Sequence, residues 1–403
     1  MKTAFATGAG ALVLAAALAG PASAQVAVKL GILNDMSSLY ADISGPGSVV
    51  AARLAVEDFK PESKGLKVDI ISADHQNKPD VGSTIARQWY DQEGVDAIFD
   101  VTTSSVALAV SEVTREKNKV FLISGGGTSD LTGAKCTPNN VHWTYDTWAL
   151  ANGTGSALTK QGKKTWFFLT ADYAFGAALE RDTTEAVKKA GGSVSGAVKH
   201  PLSSPDFSSF LLQAQASKAQ VIGLANAGAD TTNAIKQAAE FGITQSGQSL
   251  AGLLIFSSDV KALGLQAAQG LVLTEAFYWD QSDKTRDFSK RFAAKFDGKM
   301  PTSSQAGVYG SVLAYLETVA ALKAKDSAKV MAKIKQTTFE DPLFGKVTVR
   351  ADGRAIHDMY LYEVKKPAES KGPWDMYKVV ATIPAAEAFR PLEAGGCPLV
   401  GKS

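Results

Sequence analysis

Val95-Asp96-Ala97-Ile98-Phe99-Asp100-Val101 runs into Thr102-Thr103-Ser104-Ser105, and Lys119-Val120-Phe121-Leu122-Ile123 runs into Ser124-Gly125-Gly126-Gly127-Thr128-Ser129. One helix, Ser105–Lys117, fits between them. Both strands are apolar along their length and do not alternate in and out. Such strands are covered on both faces, which marks a parallel sheet with helices on either side.

The same unit recurs outward in both directions. Upstream lie the strands Val28–Leu33 and Leu66–Ser72. Between them Val49, Ala52, Val56 and Phe59 recur at spacings of three and four, one face of a helix. Asp80–Glu93 places Val81, Ile85 and Trp89 on another helical face. Downstream the pattern restarts, with strands at Thr165–Thr170, Val194–His200, Gln220–Ala225, Leu253–Ser258 and Leu271–Phe277. Helices at Gly176–Ala190, Asp206–Ser217 and Asp230–Phe241 separate them. Three more helices follow, Asp283–Phe296, Gln305–Lys323 and Ala328–Gln336. After Asp341-Pro342 the strands Lys346–Arg350, Met359–Val364 and Met376–Ile383 read as an antiparallel hairpin or meander. The fold class is therefore α/β, with two doubly wound, mainly parallel units.

Ala4 through Gly20 is small and apolar, follows Lys2 and ends at Ala22-Ser23-Ala24, so residues 1–24 read as a cleavable secretory signal peptide. No cysteine follows the cleavage pattern to carry a lipid, and a soluble, exported chain beginning at Gln25 is expected. Its length exceeds what one hydrophobic core usually serves, so two domains are expected. The net charge of +2 is dispersed without a basic block, which argues against nucleic acid as a partner. Cys136 and Cys397 are the only cysteines. Export favours a disulfide between them over two isolated thiols, and neither has the neighbours of a zinc site.

In open parallel sheets ligands bind beyond the carboxyl ends of the strands, where loops and helix starts present N–H groups. The Thr102–Ser105 and Ser124–Ser129 loops carry hydroxyls and open backbone suited to a carboxylate. Helix capping and tight turns would explain either one alone; two at neighbouring strand ends point to a ligand. Tyr40 in Ser37–Asp42 and Tyr173 in Thr170–Gly176 add aromatic rings at other strand ends. Asn226-Ala227-Gly228, Ser257-Ser258-Asp259 and Phe277-Tyr278-Trp279-Asp280 end later ones. Rings beside a carboxylate cradle describe a pocket for a small organic acid.

At these residues the chain resembles periplasmic solute-binding proteins of branched-chain-amino-acid-type ABC importers. The resemblance rests on Met36–Ala41, the Gly45-Pro46-Gly47 helix, Ser72-Ala73-Asp74, the Ser104 loop with Val106–Val110, Asp172-Tyr173-Ala174-Phe175-Gly176, and Gly345–Val347 to Asp352–Arg354. It implies two Rossmann-like lobes joined by three crossovers, near Tyr145–Trp148, Tyr278–Gln281 and Leu343–Lys346. Residues 25–146 with 280–344 would form the first lobe, and 147–279 with 345–403 the second. By motif position Thr103, Ser104, Gly126, Gly127 and Thr128 would hold a ligand carboxylate, and Tyr173, Asn226 and Ala227 would close on it. Tyr40 and Trp279 would be walls of the pocket. The implied protein is a periplasmic monomer without cofactor that delivers its ligand to membrane permease subunits; a sensor reporting to a receptor would use the same closure.

Amino-acid binders of this family set an acidic side chain against the ligand ammonium; here the matching region is Ser257-Ser258-Asp259. Phe175 and Ile43 also depart from the family's usual aromatic residues. With Tyr40, Tyr173, Tyr278 and Trp279 available, an aromatic or hydrophobic carboxylic acid becomes a candidate beside an amino acid. An enzyme is disfavoured: there is no phosphate loop, G-x-S-x-G elbow or H-E-x-x-H, and His75, His142, His200 and His357 lack metal-ligand spacing.

Overall fold

The computed structural model describes residues 3, 4 and 25–401. The signal peptide read at 1–24 lies outside the described residues apart from Thr3 and Ala4. The first lobe is built on β1 (Val26–Asn34), β2 (Leu66–Asp74), β3 (Ala97–Asp100), β4 (Val120–Ile123) and β5 (Asn140–His142), all parallel, in the order β2-β1-β3-β4-β5. β3 and β4 are buried along their whole length, as their uninterrupted apolar sequences require. The second lobe repeats the design with β6 (Thr165–Ala171), β7 (Ser193–His200), β8 (Val221–Ala225) and β9 (Ser249–Gly252), parallel in the order β7-β6-β8-β9.

Two strand expectations fail. Leu253–Ser258 is not a strand: β9 ends at Gly252, and a helix starts at Ser257. The Asp259 carboxylate accepts the Phe256 N–H at 2.8 Å, capping that helix, so the apolar run before it is buried connecting chain. Nor does the Leu271–Phe277 strand join the parallel sheet. It is β10 (Val272–Glu275), antiparallel to β14 (Met359–Val364), which pairs with β15 (Tyr377–Ile383). The last strands are thus divided between two small sheets, the other being β11 (Thr338–Asp341), β12 (Gly345–Val349) and β13 (Ala355–Ile356).

Chain passages between the lobes follow from these pairings. The first runs from β5 to β6. The second leads from β10 to the helices Asp283–Lys295 and Ser303–Leu322, which pack on Gly45–Phe59 of the first lobe. The third was expected at Leu343–Lys346, but that segment turns β11 back onto β12, with the Asp341 carboxylate accepting the Leu343 and Phe344 N–H groups at 2.8 and 3.1 Å. Arg354 bridges to His142 of the first sheet, so the chain leaves that lobe only between β13 and β14.

The carboxyl tail, expected with the second lobe, returns to the first. Arg390 donates to the Ser129 carbonyl at 2.9 Å, and Cys397 is disulfide-bonded to Cys136 with Cα atoms 5.6 Å apart. That separation is ordinary for a disulfide.

Candidate functional site

The floor of the interlobe cleft starts from a strained turn. Asp100 and Val101 end β3 with φ of 77° and 57°. A β-branched residue in the left-handed region costs free energy and is held by its surroundings. Here the Asp100 carboxylate accepts from Asn34 Nδ2 at 2.8 Å and from the Ser44 and Ser48 hydroxyls, while Val101 N–H donates to the Leu33 carbonyl at 3.1 Å. Burial pushes the Asp100 carboxyl up to about 6, against the pull of those hydroxyl and amide donors. The turn aims Thr102–Ser104 at the cleft.

Beside it, the glycine run after β4 is dictated by close packing. A Cβ on Gly126 would stand 2.6 Å from the Ala107 Cβ and 2.9 Å from the Val101 carbonyl; one on Gly127 would stand 2.9 Å from the Phe175 ring. Ser104, first residue of the helix Ser104–Glu116, accepts the Thr128 N–H at 3.1 Å and keeps its own proton to donate. Thr128 N–H is therefore spent, and its hydroxyl caps Asp130 N–H at 3.3 Å. The Gly126 and Gly127 N–H groups donate to no partner among the described residues. Thr103 gives its hydroxyl to Asn77.

Across the cleft, the Tyr40 and Tyr173 hydroxyls meet at 2.8 Å. The Asp35 carboxylate positions Tyr40, accepting its N–H at 2.8 Å and the Ser38 N–H at 2.9 Å. Tyr173 stands at the start of the helix Ala174–Lys189. Burial pushes both phenols up, so they remain protonated donors at neutral pH. With Ile43, Thr102, Gly125, Tyr145, Phe175, Ala227 and Leu254 they enclose a narrow inner cavity whose walls come from both lobes and include no charged side chain. Tyr145, from the first passage, was not anticipated; its hydroxyl donates to the Gly125 carbonyl at 3.1 Å.

A wider outer space of about 540 Å³ shares Ile43 with the inner one and is lined by Ser37, Ser38 and Asp42 of the first lobe. Ser204, Asp230, Ser258 and Asp259 face them from the second. Burial raises the Asp230 carboxyl to about 6 and the Asp259 carboxyl to about 7. The structure thus brings Tyr40, Tyr173 and Ala227 to the inner cavity and Asp259 to the outer space, while Ser104 and Gly126–Thr128 line neither and follow in sequence on the lining residues Thr102 and Gly125. Two candidates, Asn226 and Trp279, line neither space. The Asn226 amide is occupied by His200 Nε2 at 3.0 Å and the Thr231 hydroxyl at 2.7 Å. The Trp279 indole donates to the Trp374 carbonyl at 2.7 Å and lines a separate surface cavity.

Behind the cleft, Glu275 ends β10 in the core, facing Asp259 and accepting the Tyr377 hydroxyl at 3.4 Å. Burial raises its carboxyl from 4.5 to about 8. The native state then keeps a proton that the unfolded chain releases, so Glu275 lowers stability progressively as pH rises from about 4.5 to about 8. Urea unfolding of Glu275→Gln and the natural chain at both ends of this window should show the variant gaining relative stability at the alkaline end. A difference independent of pH would contradict the buried, protonated carboxyl.

A two-lobed α/β clamp with hydroxyl and N–H donors at strand ends is what a family model described as "Periplasmic binding protein" matches, over residues 27–372. The chain belongs to the periplasmic binding protein family. A periplasmic binding protein from Burkholderia mallei superposes with a TM-score of 0.90 at 54% identity, covering 93% of this chain and 99% of that one. A branched chain amino acid ABC transporter periplasmic ligand-binding protein from Burkholderia xenovorans LB400 has a TM-score of 0.83 at 42% identity, covering 92% and 99%. The "Leu/Ile/Val-binding protein homolog 6" of Brucella melitensis biotype 1 is 26% identical over 87% of this chain and 90% of its own length. The chain is thus a periplasmic solute-binding protein of the ABC-transporter type. Among its described residues no helix is long and apolar enough to cross a membrane.

Proposed function

We propose that this periplasmic binding protein captures a small apolar or aromatic carboxylic acid and delivers it, chemically unchanged, to the permease of an ABC importer. It would act as a periplasmic monomer after loss of residues 1–24. The observation that carries the ligand class is the inner cavity: aromatic and aliphatic walls from both lobes and no charged side chain, with the unspent N–H donors of Gly126 and Gly127 next in sequence to the lining Gly125. N–H and hydroxyl donors stabilise a buried carboxylate, whereas an ammonium there would lack a partner and be costly to bury. The carboxylate would accept from the Ser104 hydroxyl and the Gly126 and Gly127 N–H groups. The ligand's apolar body would part the Tyr40–Tyr173 contact and take its place between the rings.

A second reading is a branched-chain amino acid, as the names of the Brucella and B. xenovorans proteins indicate for those proteins. It is favoured by Asp259 and Asp230 on the outer space, provided that the ammonium reaches them. A thermal-shift screen of refolded, ligand-stripped protein separates the two. At about 100 times its Kd a ligand stabilises the fold by roughly 2.7 kcal/mol. Benzoate-type acids should raise the midpoint and leucine should not; the reverse result would select the second reading. Ser104→Ala should weaken binding by about 1–3 kcal/mol, through loss of one donor and orphaning of the buried Thr128 N–H. Calorimetric affinities equal to those of the natural chain would remove Ser104 from the site.

A further inference from the structure

We propose that the protein carries a second small-molecule site, for a planar aromatic anion, on the hinge at Trp279 and Trp374. A cavity of about 360 Å³ opens there and shares no lining residue with the two cleft spaces. Its size is that of an ordinary ligand pocket. The walls are two half-buried indoles with Met300 and Pro373, flat and apolar surfaces that favour a ring.

The charges around it do not cancel locally. Lys365 is paired with Asp375, and Asp280 with Arg286 at 2.9 Å. Lys371, exposed at the rim, has no ion-pair partner among the described residues. An anionic substituent on the ring would supply one.

The pocket is also held in shape. The Trp374 carbonyl accepts from the Tyr278 hydroxyl and the Trp279 indole, each at 2.7 Å, and the Tyr278 hydroxyl accepts the Met376 N–H at 2.9 Å. These bonds fix the loop carrying Lys371 and Trp374 to the passage between the lobes, so a ligand need not order it. Lys261, from the helix whose first turn carries Ser258 and Asp259, lies 5.6 Å over the Trp374 ring. Met300 belongs to the segment joining the two helices packed on the first lobe. The site therefore spans the hinge, with first-lobe, passage and second-lobe residues in its wall.

The probe is 1-anilinonaphthalene-8-sulfonate, titrated by fluorescence into the full mature protein. One saturable site is expected. Trp374→Ala and Lys371→Gln should each weaken it at least tenfold, while Tyr173→Ala, which alters only the cleft, should leave it unchanged. Lys371 is exposed, so Lys371→Gln tests the charge without threatening the fold. No saturable binding, survival of binding in either pocket variant, or its loss in Tyr173→Ala would overturn the site. A probe held in the cleft instead would be lost in Tyr173→Ala and kept in both pocket variants, so the two sites are told apart.

Discussion

Replacing Arg354 by alanine should destabilise the protein by about 3–5 kcal/mol, the cost of leaving one partner of a buried ion pair alone. Arg354 is wholly buried. Its guanidinium pairs with Asp146 at 3.3 Å, donates to the Thr144 and Tyr145 carbonyls, and lies 4.3 Å over the Phe389 ring. Burial lowers it only to about 10, so it stays charged at neutral pH. One side chain thus fastens the first passage between the lobes, the β13 segment and the returning tail. His357 adds to the clamp, its Nε2 lying 2.9 Å from the Trp143 carbonyl. Without Arg354, the buried Asp146 carboxylate would lose its counter-ion and keep only the Ala149 N–H, and the Tyr145 carbonyl would lose its donor. Urea unfolding measures the loss, and a change below about 1 kcal/mol would show that the passage is held by packing instead.

Gly127→Val should reduce solute affinity by about 100-fold, roughly 2.7 kcal/mol, while sparing the unliganded fold. A Cβ at Gly127 would sit 2.9 Å from the Phe175 ring and 3.1 Å from the Tyr145 ring. Both are stiff aromatic groups, and Phe175 belongs to the opposite lobe. The Tyr145 ring must give by a few tenths of an ångström, and the tighter Phe175 clash is relieved when the lobes stand further apart, which breaks the enclosure of the ligand. Calorimetry of the variant reads the affinity and thermal melting reads the fold. Unchanged affinity would mean that the ligand is held without this degree of closure.

Much of the architecture was legible because buried parallel strands advertise themselves as apolar runs. Val120–Ile123 and Thr165–Ala171 could be placed from that signal. The run Leu253–Phe256 gave the same signal and is buried connecting chain, since periodicity cannot tell a short strand from another buried segment. The two hydroxyl and glycine loops were found because cleft chemistry collects at strand ends.

Asp100 was missed because its meaning depends on Asn34, Ser44 and Ser48, far away in sequence. Asp352–Arg354 entered the sequence reading as part of the segment that carries the family resemblance, and nothing local says that the arginine points into the core. Trp279 was misplaced for a related reason: sequence puts it at a strand end, but Trp374 and Tyr278 decide which way its ring faces. The tail could not be assigned to a lobe before the Cys136–Cys397 bond and the Arg390 contact were seen.

The central claim is that a carboxylate, and not an ammonium, is what the inner cavity recognises. Calorimetric titration of ligand-stripped protein with 4-hydroxybenzoate, and in parallel with 4-hydroxybenzyl alcohol, tests it directly. Saturable heat is expected from the acid, with its affinity lowered about 100-fold by Gly127→Val, and none from the alcohol, which has the ring without the charge. Equal binding of both, or tight binding of leucine with neither ring compound bound, would contradict it.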